Sequence, residues 1–113
     1  MEEARARELL ARERARIERA LGELRGQGGG DELSDYDQHL ADAASELYES
    51  ERDAGLTEQL REELAAVERA ERRLAEGTFG LSVESGVPIP DERLEAMPTA
   101  ERTVEEQARR ARR

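Results

Sequence analysis

The sequence predicts an all-α protein whose main body is an antiparallel coiled-coil hairpin of two long helices. Two stripes of apolar residues recur at three- and four-residue spacing, one before and one after a segment rich in glycine and acids. The chain has 113 residues, too few for two independent cores. Only 3% of them are aromatic, too few for one thick core. We therefore expect the two helices to bury their apolar faces against each other.

The first helix is predicted from about Glu2 to Arg25. Its seam follows a heptad pattern with one polar position, formed by Ala6, Leu10, Glu13, Ile17, Ala20 and Leu24. Glycines dominate residues 26–30, which follow at once. Glycine in a helix interior costs about 1 kcal/mol relative to alanine, so this run predicts the end of the helix.

A second, longer helix is predicted to begin after Asp37 and to end at Glu76, because Gly77 is free to take the left-handed conformation. Its apolar positions form two sets, which are Leu40, Ala43, Leu47 and Ala54, then Leu56, Leu60, Leu64, Val67 and Leu74. The two sets are out of register, which predicts a stutter or mild kink across residues 54–56. Residues 1–76 would then form the hairpin, with its tip around residues 26–45.

Residues 77–113 are predicted to form a smaller module after the hairpin. A compact turn comes first, then a short helix opened by Asp91 and ended near Pro98, then a last helix from about Thr99 or Ala100. We expect packing of the apolar residues of this part to hold it together. These residues are Phe79, Leu81, Val83, Val87, Ile89, Leu94 and Met97.

Composition and charge exclude several classes of function. The chain has no cysteine, which excludes disulfides, thiolate catalysis and cysteine metal sites. No apolar run approaches the roughly 20 residues of a membrane span, and the charged N-terminus is unlike a signal peptide, so we expect a cytoplasmic protein. The net charge is −10, and residues 26–54 hold nine acids against one arginine. An acidic surface repels phosphate backbones, so we expect no direct nucleic-acid binding.

Residues 77–86, GTFGLSVESG, and residues 93–100, RLEAMPTA, together resemble the zinc finger of the DksA/TraR family, bacterial regulators that bind RNA polymerase. The family pattern reads G-[TS]-[YF]-G-x-C-x-x-C-G, then R-L-x-A-x-P-x-A, then a second C-x-x-C. Its four ligand positions fall here on Ser82, Ser85, Thr103 and Glu106. Neutral hydroxyls are poor zinc donors, so the resemblance implies a zinc-finger-like module without metal or other cofactor.

Residues 32–46, ELSDYDQHLADAASE, resemble the tip motif E-L-S-x-Y-D-N-H-P-A-D-x-A-[ST]-E of short members of the same family. In that family a tip with the pattern D-x-x-D-x-A enters the secondary channel of RNA polymerase. Asp42 and Ala44 match its second acid and its alanine, whereas its first acid falls on His39. The resemblance implies a polymerase-binding tip formed by Asp35, Tyr36, Asp37, His39, Asp42 and Ala44. The alternative is that these aspartates only cap and solvate the second helix.

No catalytic arrangement can be written for this chain. Its single histidine gives no metal site, and its hydroxyls lack a partnering base, so we expect no enzyme. Two functions stay open. One is a monomeric transcription regulator that binds RNA polymerase, and the other is a structural or adaptor coiled coil that keeps the family fold without regulating the polymerase. In the first case the missing cysteines would suit oxidising or zinc-poor conditions.

Overall fold

The computed structural model describes residues 1–29 and 43–112, with side chains for residues 1–26 and 51–112. Within these ranges there are four α-helices and a single isolated antiparallel bridge, between Leu81 and Pro88. The helices are α1 (Glu3–Gly29), α2 (Ala43–Glu76), α3 (Asp91–Ala96) and α4 (Val104–Ala111). The predicted all-α fold, with an N-terminal helix pair and a C-terminal helix, is confirmed. None of these helices is both long and apolar enough to cross a membrane.

The chain divides into two compact units. The first comprises Met1–Arg14 and Ala65–Arg113, and the second comprises Ala15–Leu64. The second unit is made of the middle and end of α1 and the beginning and middle of α2. There Arg16 Nη2 lies 3.2 Å from Glu63 Oε1, while Leu24, further along α1, lines a cavity of about 250 Å³ together with Asp53, earlier in α2. The two helical segments of this unit therefore run antiparallel.

The predicted heptad seam of α1 is confirmed, because all six of its positions are buried or half-buried. In α2 the predicted inward positions of residues 54 and 56 are wrong, while the side chains of the first apolar set before residue 51 lie outside the described residues. Ala54 and Leu56 are exposed, and Asp53 and Thr57 take the seam positions instead. The heptad then continues without a stutter through Leu60, Leu64, Val67, Glu71 and Leu74, all buried or half-buried. Helix pairing sets which positions face inward, so polar residues can occupy a seam where their ends reach water.

The predicted end of α2 is confirmed, whereas α1 continues beyond Arg25 to Gly29. Glycine lowers helix propensity without forbidding helical dihedral angles, which is why the run after Arg25 does not stop α1. At the end of α2, the Thr78 amide donates to the Arg73 carbonyl at 2.8 Å and the Gly77 amide donates to the Leu74 carbonyl at 3.3 Å. This pattern is a Schellman motif, and Gly77 takes the left-handed conformation it requires, with φ of 80°.

The core of the 77–113 module is smaller than predicted. Ile89, Leu94 and Ala100 form a buried cluster, and Phe79 is half-buried against it. Four other residues expected in this core are exposed, namely Leu81, Val83, Val87 and Met97. The loop explains this difference. Its backbone closes through a hydrogen bond from the Ser82 amide to the Val87 carbonyl at 2.8 Å, and Ser82 is placed inward. A polar residue occupies the interior, so the neighbouring apolar residues face outward.

Helix α4 begins at Val104, four to five residues later than predicted. The residues before it have other roles in the first unit. Ala100 belongs to the buried cluster, and the Glu101 carbonyl accepts the Val83 amide at 2.8 Å. The Glu101 carboxylate also lies 3.2 Å from Arg73 Nη1 and from Arg69 Nε. These contacts hold residues 100–101 outside a helix and against the end of α2.

Helix α3 is attached to α1 within the same unit. Arg5 donates to both carboxylate oxygens of Glu95, from Nε at 2.9 Å and from Nη2 at 2.7 Å. This ion pair raises the pKa of Arg5 and lowers that of Glu95. Both side chains are more than a third exposed, so the contact fixes orientation more than it adds to stability.

We predict that Leu94→Ala destabilises the 77–113 module by about 2–5 kcal/mol, the usual cost of removing a buried leucine side chain. Leu94 is 1% exposed and packs in the only apolar cluster found in the described part of this module. Met97→Ala is the matched control, because Met97 is 50% exposed. Limited proteolysis at residues 77–107, together with chemical denaturation, measures both effects. Equal sensitivity of the two variants would contradict the assigned core.

Candidate functional site

The sequence predicts two sets of site residues, the six tip residues and the four positions aligned with zinc ligands. The structure describes all of the second set but only one residue of the first. Five of the six tip residues lie outside the described residues, namely Asp35, Tyr36, Asp37, His39 and Asp42. Ala44, the sixth, falls in the first turn of α2. Their role at a polymerase-binding tip stays a prediction. The four positions that correspond to zinc ligands are all described, and they form the site considered next.

Ser82 and Ser85 lie in the loop that follows Phe79. The Ser82 side chain is 5% exposed, and its Oγ accepts the backbone amides of Glu84 at 3.1 Å and Ser85 at 3.2 Å. The Ser85 Oγ accepts the Val87 amide at 3.4 Å. Gly86 permits this tight turn because it adopts a φ of 77°, which side chains disfavour. The loop therefore turns around two hydroxyl groups.

Thr103 and Glu106 form a capping box at the start of α4. The Thr103 Oγ1 accepts the Glu106 amide at 3.2 Å, and the Thr103 amide donates to Glu106 Oε1 at 2.9 Å. A threonine followed three residues later by glutamate is the sequence signature of this motif. This spacing indicates the start of α4, although the alignment of both residues with zinc-ligand positions obscures that signal.

The two pairs meet in one group, which we call the hydroxyl–carboxylate cluster and define as Ser82, Ser85, Thr103 and Glu106. Glu106 is 5% exposed, and its hydrogen bonds with Thr103 are 2.9 and 3.2 Å long. The Ser85 hydroxyl, followed by the Thr103 amide and the Ser82 hydroxyl, lowers the pKa of Glu106 to about 2. The two pairs are therefore near enough for the serine hydroxyls to stabilise the carboxylate charge.

The donor set of this cluster does not fit a structural zinc ion. Such sites use four thiolate or imidazole donors, whereas three members here are neutral hydroxyls that already take part in hydrogen bonds. Elsewhere in the described residues, no three histidine, cysteine or acidic side chains lie close enough to hold a metal ion. The chemistry of the residues present therefore argues against a zinc finger in the strict sense.

Charged contacts of arginine side chains in the first unit are not indicated by the sequence. Arg73 is 13% exposed, and desolvation, with a smaller effect of the nearby Arg69, lowers its pKa although Glu101 opposes the shift. Its Nη2 is buried without a hydrogen-bond partner among the described residues. Arg102 Nε pairs with Glu84 at 3.0 Å, and Arg93 Nε donates to the Arg102 carbonyl at 2.9 Å. Such contacts depend on tertiary structure, and no local sequence pattern indicates them.

We predict that acid weakens this module through Glu106. The pKa of Glu106 is about 2 in the folded protein and about 4.3 in the unfolded chain. The ionised carboxylate therefore stabilises the folded module above about pH 4.3, and this stabilisation is lost as pH falls toward 2. Glu106→Gln should remove this part of the pH dependence. Glu105→Gln, an exposed neighbour in the same helical turn, should keep the wild-type slope. Denaturation at several pH values measures the slopes, and identical slopes for all three proteins would exclude this role.

Comparison with curated proteins shows several bacterial relatives, although no protein-family profile matches the chain. It is 49% identical over 69 residues to the uncharacterized protein YteA of Bacillus subtilis, covering 61% of this chain and 29% of that one. It is 42% identical over 78 residues to general stress protein 16O of the same organism, covering 68% and 48%. It is 38% identical over 74 residues to the RNA polymerase-binding transcription factor DksA of Caulobacter vibrioides, covering 66% and 52%.

The match to a solved structure extends over more of both chains. The curated relatives are matched over about half their length or less, from 29% to 52%. By contrast, the structure of transcription factor DksA2 from Pseudomonas aeruginosa superposes with a TM-score of 0.73 at 34% identity, over 97% of this chain and 83% of that one. Fold, identity and coverage agree with the resemblance of the finger and tip motifs. The chain therefore belongs to the DksA/TraR family.

Proposed function

We propose that this protein is a transcription regulator that binds RNA polymerase and inserts the acidic tip of its helix pair into the secondary channel. The observation that supports this most is the similarity to DksA2 over nearly the whole chain. A second relative is named for binding RNA polymerase. Family membership also supports a regulator rather than an enzyme, and we propose that the protein acts as a monomer in the cytoplasm.

The charge of residues 26–54 supports insertion of the tip. This segment holds nine of the chain's 28 acids and only one arginine. Asp42 and Ala44 keep the places of the second acid and the alanine in the family pattern. A carboxylate carried by a helix pair can approach basic groups, or a bound magnesium ion, at the end of a narrow channel. The same charge opposes direct binding to nucleic acid, so the polymerase is the partner we propose.

The second candidate is a structural or adaptor coiled coil that has kept the fold without polymerase regulation. His39 supports it, since a histidine stands where the family pattern has its first acid and carries no dependable negative charge at neutral pH. Loss of the four cysteines argues less strongly for this candidate. Within each of the two pairs, local hydrogen bonds order the same positions, so the missing thiols are compatible with a folded module.

We predict that Asp42→Asn weakens binding to core RNA polymerase by about 10- to 150-fold. A desolvated, charge-assisted hydrogen bond contributes about 1.5–3 kcal/mol, and each 1.4 kcal/mol is a factor of ten in affinity. Binding of purified wild-type and variant protein to core polymerase, followed by in vitro transcription, measures the effect. Circular dichroism should be nearly unchanged, which separates loss of a contact from loss of a helix cap.

Glu51→Gln is the matched control, because it removes the same charge from an exposed position of α2 in the same acidic segment. It should bind the polymerase nearly as wild type does. Wild-type binding with equal loss in both variants would indicate a nonspecific effect of charge and contradict insertion at Asp42. Absence of binding by the wild type itself would favour the adaptor.

A further inference from the structure

We propose that residues 77–113 form a hinged module, which a charged contact holds against the end of α2 and can release. We call this contact the latch and define it as Arg69, Arg73 and Glu101. The hinge is Gly77, the residue that follows α2. All of these residues belong to the first unit. The proposal concerns a motion of the protein itself, and it is independent of the proposed polymerase binding.

The latch brings two arginines of α2 to one carboxylate of the module. Arg69 and Arg73 are four residues apart in a helix, so they lie on the same face of α2. Glu101 Oε2 lies 3.2 Å from Arg69 Nε and 3.2 Å from Arg73 Nη1. Among the described residues, neither arginine forms an ion pair with another acid. Both positive charges therefore depend on Glu101 for compensation.

Arg73 makes the closed latch less stable than a fully paired contact would be. Its side chain is 13% exposed, and its Nη2 is buried without a hydrogen-bond partner in the part of the chain that the structure describes. A buried donor that has given up water without gaining a partner opposes the arrangement that buries it. The docked position of the module thus contains a contribution that favours release of this side chain to water.

The other contacts of the module with the helices allow such a release. The buried apolar cluster of the module contains only residues of the module itself, namely Ile89, Leu94 and Ala100, with Phe79 packed against them. Toward α1, Arg5 pairs with Glu95, and both side chains are more than a third exposed. An ion pair of this kind contributes little to stability. The module can therefore keep its own core while its charged contacts with the helices open.

Gly77 is suited to act as the hinge. It has a φ of 80°, and a β-carbon at this position would meet no other atom within 4 Å. Few contacts therefore resist rotation at this residue, and rotation at one residue can move a whole module. The hinge is also connected to the latch, because the Thr78 amide donates to the Arg73 carbonyl at 2.8 Å. Movement of Arg73 and opening of the hinge should therefore occur together.

Hydrogen exchange of the full-length protein tests the latch at single amides. Glu101→Gln keeps the size of the side chain but leaves both arginines without a counter-charge. Exchange at the Thr78 amide should quicken by about tenfold or more, because loss of one partner of a buried ion pair is costly. The Ile89 amide, which donates to the Gly80 carbonyl at 2.7 Å inside the module, should keep its wild-type rate. Glu95→Gln is the matched control and should change exchange at Thr78 less than about fivefold.

A second variant separates release of the module from general damage. Arg73→Met removes the buried charge and keeps an apolar side chain of similar length. Alone it should protect the Thr78 amide at least as well as wild type does, and in combination with Glu101→Gln it should restore the lost protection. Absence of this rescue would contradict the role of Arg73. Equal quickening at Thr78 and Ile89 in Glu101→Gln would indicate unfolding of the module and would also overturn the proposal.

A distance measurement shows whether the module moves as one body. The chain has no cysteine, so spin labels can be attached at two introduced cysteines. Ala65→Cys in α2 and Glu105→Cys in α4 are suitable, since both positions are exposed. In the labelled protein, Glu101→Gln should add a second distance between the labels, and addition of Arg73→Met should remove it. A single, unchanged distance in Glu101→Gln would exclude a hinged release.

Discussion

A buried carboxylate needs hydrogen-bond donors, and this requirement organises the C-terminal module. Glu106 is almost fully enclosed, and the Thr103 amide at its own helix start donates to its carboxylate at 2.9 Å. Removing this donor would leave charge less compensated in a site that water hardly reaches. The hydroxyls of Ser85 and Ser82, in a loop more than 15 residues earlier, also lower the pKa of this carboxyl. The small apolar cluster around Leu94 packs within the same module.

Arginine provides the other long-range contacts of the first unit. All 18 basic residues of the chain are arginines. Several of them donate two hydrogen bonds to a single carboxylate. Arg14 contacts both oxygens of Glu71, at 3.2 and 2.7 Å, and joins α1 to α2, as Arg5 joins α1 to α3. The planar guanidinium fixes direction in a way that a lysine ammonium cannot. These pairs orient elements with few apolar side chains, even where exposure limits their contribution to stability.

Much of the fold follows from local sequence signals, and most of the site does not. The heptad of α1 and the glycine after α2 depend on near neighbours in the chain, which is why Ala6 to Leu24 and Gly77 were predicted correctly. The inward turn of Ser82, the exposure of Leu81 and Val83, and the bridge from Glu101 to Arg69 and Arg73 depend on residues distant in sequence. Hydropathy ranks serine and glutamate as surface residues, so it could not indicate a polar interior. Only the capping-box spacing of Thr103 and Glu106 gave a local signal for it.

The chemical origin of the cluster affects how the module's stability depends on its surroundings. A module closed by zinc is a complex, so its stability rises and falls with the free zinc concentration according to mass action. The turn at Ser82 and the capping box at Thr103 form within the chain itself, so their formation is unimolecular. Their equilibria have no concentration term for a ligand. The start of α4 is therefore set by two hydrogen bonds that do not depend on the supply of metal.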